Sequence, residues 1–167
     1  MVLDRGHEPE ASNEIANWTP ADRDEVLAFI LGIQRDELGV AITAEDQPDL
    51  ADVPGFYEAF WVARAGGAVV GTIAAIRIAP DAVALRKMFV AREQRGGAGL
   101  AGRLMDTLVA WAAADGVRTI YLGTTAVMHA AHRFYDKHGF TLIDPDELPP
   151  SFPRMAVDSR FYRRDLA

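Results

Sequence analysis

The chain has 167 residues, half of them hydrophobic and a quarter charged, enough apolar material for one packed domain and too much for global disorder. Seventeen Lys and Arg against 24 Asp and Glu leave a net charge of -7, which argues against the basic face a nucleic-acid binder needs. There are no cysteines, so a disulfide scaffold, a thiolate metal site and a cysteine nucleophile are excluded together. Residues 1–10 are charged and lack the apolar run of a leader or an anchor, and no stretch approaches the roughly 20 apolar residues of a membrane helix. The expectation is a cytoplasmic enzyme or ligand-binding domain spanning 1–167 as one unit, with 1–10 flexible.

Taken in chain order, a weakly signalled strand over Glu10–Asn17 is followed by the first firm helix. Thr19 suits its N-cap, Pro20 its first turn, and Asp22, Asp24 and Glu25 its dipole. Its apolar stripe runs Val26, Ile30, Ile33, with Leu27 and Leu31 alongside, and Gly39 closes it. Residues 43–57 are acidic and broken by Pro48 and Pro54, a short helix or turn inside a functional loop. Three antiparallel strands follow: Ala59–Arg64, a tight turn at Gly66-Gly67, Val69–Ala79, a turn at Pro80-Asp81, and Ala82–Ala91. The period then switches. Leu100, Leu104, Leu108 and Trp111 predict a helix over Gly99–Asp115, and after Gly116 come a strand Arg118–Leu122, a helix Ala126–His138 and a strand Phe140–Ile143. A proline-rich loop leads to a last strand near Met155–Tyr162, with Arg160, Arg163 and Arg164 as a basic cluster at a solvated chain end. The fold class is α+β: a mixed, mostly antiparallel, splayed sheet of six or seven strands flanked by about four helices.

The most informative segment joins the third strand of the meander to the helix after it: Arg92-Glu93-Gln94-Arg95-Gly96-Gly97-Ala98-Gly99-Leu100-Ala101-Gly102. Its glycines sit where backbone amides and a helix N-terminus converge, the chemistry of an anion site. Gly97, Gly99 and Gly102 match a dinucleotide fingerprint literally. The context does not match: the preceding strand belongs to an antiparallel meander, and where a ribose-binding acid is required the chain has Tyr121, Leu122, Gly123 and Thr124. NAD is therefore not an expected ligand.

Gln94-Arg95-Gly96-Gly97-Ala98-Gly99 resembles instead the [Gln/Arg]-x-x-Gly-x-[Gly/Ala] loop of GNAT-type N-acetyltransferases. Met88-Phe89-Val90 resembles that family's cofactor-facing strand. Ala131-His132-Arg133-Phe134-Tyr135, followed by Gly139-Phe140, resembles its late helix. Leu122-Gly123-Thr124-Thr125 and Phe152–Asp158 are similar to a bacterial branch of it. Two departures stand out: the apolar pair of the helix falls one residue late, as though the loop carries an insertion, and Met128 stands where many relatives place an Asn that contacts the cofactor arm.

The resemblance implies acetyl transfer from acetyl-CoA, as co-substrate and without a metal, to a primary amine of a small molecule or peptide, by direct attack in a ternary complex. It implies that Arg95, Gly96, Gly97, Ala98, Gly99, Leu100 and Ala101 hold the pyrophosphate, and that the backbone of Met88, Phe89 and Val90 pairs with the pantetheine arm. By the same resemblance the Val90 amide polarises the thioester carbonyl, Thr124 or Thr125 supplies the missing polar contact, and Tyr135 protonates the leaving thiolate. A phenol near pKa 10 would match a thiol closely enough to donate. For the acceptor two pictures stand. Acidic residues between Glu45 and Glu58 draw in a polycation, or Arg86 clamps the carboxylate of an amino acid. No carboxylate lies on the strand Ala82–Ala91, which leaves Glu93 or a water chain as base. That gap is also what favours the alternative, a non-catalytic CoA-binding module. His129, His132 and His138 read as surface or capping residues rather than metal ligands, lacking an H-E-x-x-H setting, and no serine has a G-x-S-x-G setting. The partners expected are an amine acceptor and at most a second copy in a homodimer, with no nucleic acid and no membrane.

Overall fold

Seven strands form one sheet in the order β1-β2-β3-β4-β5-β7-β6. The computed structural model describes residues 14–96, 99–125 and 129–166. The strands are β1 Glu14–Asn17, β2 Ala59–Ala65, β3 Ala68–Ala79, β4 Ala82–Val90, β5 Thr119–Thr124, β6 Thr141–Ile143 and β7 Arg160–Asp165. Among the described residues four α-helices accompany them: α1 Arg23–Gly32, α2 Val53–Phe56, α3 Leu100–Ala114 and α4 His129–Lys137. The sheet is mixed. β1 pairs antiparallel with β2, β5 with β7 and β6 with β7, whereas β4 and β5 run parallel over Ala82↔Thr119 to Ala84↔Tyr121. The parallel pair needs a crossover between its members, and α3 supplies it. Among the described residues no helix is long and apolar enough to cross a membrane.

Packing divides the chain into two compact units. One takes in the chain through Ala74 together with Lys87–Asp106; the other takes in Ala75–Arg86 and the chain from Thr107 on. In the first unit, α1 begins as expected: the Thr19 N–H donates to Asp22 Oδ2 at 2.8 Å, a 3-10 turn at Pro20–Asp22 precedes the helix, and Val26, Ile30 and Ile33 are its buried stripe. The helix widens into a π turn at Ile33–Glu37, a feature frequent at functional positions, before Gly39 ends it at φ +66°. Gly66 and Gly67 both have positive φ, the two-residue turn whose twist matches a β-hairpin. In the second unit Ala82, Ala84, Tyr121, Ile143, Phe152 and Phe161 form a buried cluster.

The last strand departs from expectation. It runs Arg160–Asp165, five residues beyond where its expected start lay, and Met155–Ser159 is a turn instead. The three arginines are not a solvated chain end. They lie on a strand that β5 and β6 flank on both sides, with Phe161 and Tyr162 fully buried between them. Sheet pairing on two edges outweighs their polarity, because the long side chains reach polar partners: Arg164 Nη1 donates to the His138 carbonyl at 2.9 Å, Arg163 pairs with Asp165, and Arg160 Nη2 donates to the Tyr162 hydroxyl at 3.2 Å.

Candidate active site

In the first unit the strand that leads into the glycine loop is bent by an unusual residue. Lys87 is the one described non-glycine with positive φ, at 53°, a conformation that costs of order 1–3 kcal/mol and persists only where its surroundings hold it. Here they do. Thr72 Oγ1 donates to the Lys87 carbonyl at 2.7 Å, and the ammonium, on a side chain 9% exposed, donates to Gln47 Oε1 at 2.6 Å and lies 3.4 Å from Asp49. Tyr57 donates its hydroxyl to the same Asp49 carboxylate, and Gln34 and Gln47 exchange amide hydrogen bonds. The loop after α1 is thereby tied to β4 three residues before Val90. Two of the carboxylates expected to form an acidic rim are consumed in this way: Asp49 by Lys87 and Tyr57, Asp46 by the Thr43 amide and hydroxyl. Glu58 is exposed, just before β2.

Met88 and Phe89 are half-buried and Val90 is buried. After β4 a 3-10 turn at Arg92–Gln94 leads to Gly96 and Gly99, both at φ +74°. The Gly99 carbonyl accepts the first helical hydrogen bond of α3, from Arg103 at 3.0 Å, so Gly99 is the N-cap of a 15-residue helix. A Cβ at Gly96 or Gly99 would meet nothing within 4 Å, which leaves this rim open to an anion. Leu100 is fully buried and Ala101 half-buried, so both would serve a ligand through their backbone. Arg95 is pinned: Nε donates to the Val90 carbonyl at 2.9 Å, and the guanidinium meets Glu37 of the π turn at 2.7 Å. Gly97 and Ala98 lie outside the described residues, as does Met128.

In the second unit β5 ends in Gly123-Thr124, and Thr125 follows it. Thr124 is buried, and its carbonyl accepts Ser159 N–H at 2.9 Å. Thr125 Oγ1 is buried with no hydrogen-bond partner among the described residues, a costly state that a bound polar group would relieve. Of the surface and capping places expected for His132, the structure excludes the surface. The residue is 7% exposed, and its Nε2 lies 2.8 Å from the Thr125 carbonyl. A carbonyl cannot donate, so the proton resides on Nε2, and the imidazole ties the end of β5 to α4.

Tyr135 sits on α4 with its ring against Phe140 and Tyr162, centroids 5.7 and 5.8 Å away. Burial first, and the neighbouring Tyr162 second, push its phenol up to about 12. This corrects the expected match with a thiol: Tyr135 is a weaker acid than a free phenol, and what burial secures is a proton retained throughout the neutral range. Arg86 on β4 donates through Nη1 to the Pro153 carbonyl at 3.3 Å and through Nη2 to Met155 Sδ at 2.9 Å, both weak partners for a guanidinium.

The glycine-opened helix N-terminus is the segment whose sequence resembles the GNAT loop, and the comparison with known proteins agrees: the Acetyltransferase (GNAT) family matches residues 27–140. The chain belongs to the GNAT acetyltransferase family. A GNAT-family acetyltransferase of Staphylococcus aureus Mu50 superposes with a TM-score of 0.88 at 34% identity, covering 93% of this chain and 99% of that one. The N-acetylaspartate synthetase of Danio rerio is 34% identical over 123 residues, 69% of this chain and 43% of that protein. The chain thus spans less than half the length of the curated relative. An N-acetylglutamate synthase of Neisseria gonorrhoeae, complexed with coenzyme A and N-acetyl-glutamate, shares the GNAT fold at a TM-score of 0.73 and 18% identity, over 93% of this chain and 35% of that one. The GNAT motif that sequence reasoning found is the loop. What it missed is the Lys87, Asp49, Gln47 and Tyr57 network, for which a lysine on a strand carries no signal until the strand is seen to bend.

Proposed function

We propose that the chain is an acetyltransferase domain that moves the acetyl group of acetyl-CoA onto the amine of a small, carboxylate-bearing acceptor. The observation that carries this reading is the open rim of Gly96 and Gly99 at the N-terminus of α3, which suits a pyrophosphate. In the second unit the orphaned Thr125 hydroxyl is a polar group that a contact with the pantetheine arm would satisfy. The backbone of Met88–Val90 would pair with that arm as an added strand, and the Val90 amide would polarise the thioester carbonyl.

The acceptor nitrogen attacks the carbonyl carbon, a C–N bond forms, and the C–S bond breaks as the carbonyl is restored. Tyr135 gives its proton to the departing sulfur and is reprotonated by the proton the nitrogen must lose. With no cysteine and no serine triad, direct attack needs no acyl-enzyme. For the acceptor, Arg86, whose hydrogen bonds among the described residues go to a carbonyl and a thioether, favours a carboxylate. The internal use of Asp46 and Asp49 weakens the polycation picture. The relatives named for N-acetylaspartate and N-acetylglutamate point the same way.

Thiol release from acetyl-CoA, measured against amino acids, polyamines and peptides, tests the proposal. The expected result is turnover with an amino acid, lost on acceptor KM in Arg86→Ala. Acetyl-CoA binding without turnover on any amine would make the chain a CoA-binding module, and an isolable acetylated protein would overturn direct attack.

A further inference from the structure

At neutral pH an acceptor amine is an ammonium ion, whose lone pair is occupied by a proton. β4 offers no carboxylate to remove it, and Glu93 is exposed on the turn after that strand. The second unit holds a different candidate. We propose that Asp158 is the base that takes this proton, its carboxylate seated over Gly123 of β5 at the position where the pairing of β4 with β5 has ended. The proposal rests on the acetyltransferase reading above.

The seat is built from both sequence ends of the unit. The last parallel pair is Ala84↔Tyr121, and Arg86 and Gly123 are the residues two positions further along each strand. A Cβ on Gly123 would lie 2.7 Å from Asp158 Oδ2 and 2.8 Å from its Cγ, so the carboxylate fits there only because residue 123 has no side chain. Oδ2 accepts the Met155 N–H at 3.1 Å, the Asp158 N–H returns a hydrogen bond to the Met155 carbonyl at 3.1 Å, and the Ser159 amide binds Thr124. Arg86 anchors the same turn through Pro153 and Met155, and Phe152 packs beneath it on Phe161, ring centroids 6.1 Å apart. Oδ1 is left without a hydrogen bond among the described residues, available to an ammonium.

The charged groups facing Asp158 are Arg86 from β4 and Arg154 from its own turn, while β5 presents Gly123 and β7 presents Phe161. Both arginines favour the ionised carboxylate, yet burial outweighs them and the Met155 hydrogen bond, and holds the carboxyl above its ordinary range. A base whose conjugate acid lies nearer neutrality serves an ammonium better than an exposed aspartate does. In the step itself one N–H bond of the ammonium breaks, an O–H bond forms on Asp158, and the freed lone pair attacks the thioester. Asp158 later returns the proton to solvent.

The test is the pH dependence of thiol release between about pH 5 and 9 for the wild type, Asp158→Asn and Arg86→Met. Asparagine keeps an acceptor for Met155 and the shape that fits Gly123. Asp158→Asn should lower kcat by about 10²-fold, leave acetyl-CoA affinity within about threefold, and abolish the acidic limb of the kcat profile. In Arg86→Met that limb should move to higher pH, because a charge favouring the carboxylate is gone; a folding defect does not shift a limb. An Asp158→Asn profile that keeps the wild-type limb, or a limb unmoved in Arg86→Met, overturns the proposal alone. A wild type that binds acetyl-CoA yet releases no thiol with any amine overturns the acetyltransferase reading, and this proposal with it.

Discussion

Tyr135 shows how one residue's position is legible while its chemistry is not. Its spacing from Gly139 places it on the late helix, where it is found. Its environment of Phe140 and Tyr162, which raises the phenol to about 12, comes from residues on two other segments. If it donates to the leaving thiolate, Tyr135→Phe should lower kcat by roughly 10²-fold with acetyl-CoA affinity nearly unchanged, as steady-state kinetics and a binding titration would show. Loss of stability with kcat intact would make the ring a packing element. Lys87 is the complementary case. A lysine in an alternating strand reads as an outward charge, yet this one is turned inward onto Asp49 and Gln47. The left-handed backbone that achieves this has no local cause, since lysine has no preference for it. It is held from outside by Thr72, Gln47 and Asp49.

At the scale of elements, the glycine loop and α3 were legible together because both are local: glycines fix the turn and a 3.6-residue stripe fixes the helix. Gly99 is the element's decisive position. Valine there has room but not the backbone, since a β-branched residue at φ +74° is strained. Gly99→Val should raise the acetyl-CoA dissociation constant about tenfold or more, the scale of one lost hydrogen bond to a charged group. Arg95→Ala should cost less, because its guanidinium is engaged by Val90 and Glu37. Isothermal titration of both variants checks this, and equal affinities in wild type and Gly99→Val would place the pyrophosphate elsewhere. β7 was misplaced for the opposite reason. Its pattern of arginines and aromatics looks like an edge, and only pairing with β5 and β6 makes it interior.

For the molecule as a whole, stability should be lost at both ends of the pH scale. Asp22, Glu25 and Asp165 sit below their ordinary range: at Asp22 burial opposes the shift and Arg64 and Thr19 together outweigh it, at Glu25 the Val69 amide acts first and then Arg64, and at Asp165 Arg163 does. Lowered in the fold, they contribute stability above their unfolded values that is lost as pH falls through the folded ones. Tyr135 has the reverse sign. Its contribution is fully present below pH 10 and is lost as pH rises towards about 12, with a slope of at most about 1.4 kcal/mol per pH unit. Urea unfolding of wild type and Tyr135→Phe on either side of pH 10 tests this: the variant should lose less over that window, and equal losses would mean the phenol is not desolvated.

The order of elements, the antiparallel meander, the capped first helix, the glycine turn before α3 and the family were all determined by the sequence alone, because periodicity, caps and glycine turns act over a few neighbouring residues. Tertiary structure alone decided which polar groups are buried and paired. Lys87 finds Asp49 and Gln47 about 40 positions away, Asp158 finds Gly123, and His132 closes on Thr125. A charge's worth depends on what desolvates it and what faces it, and in this chain those partners are brought together by the sheet, not by adjacency along the backbone.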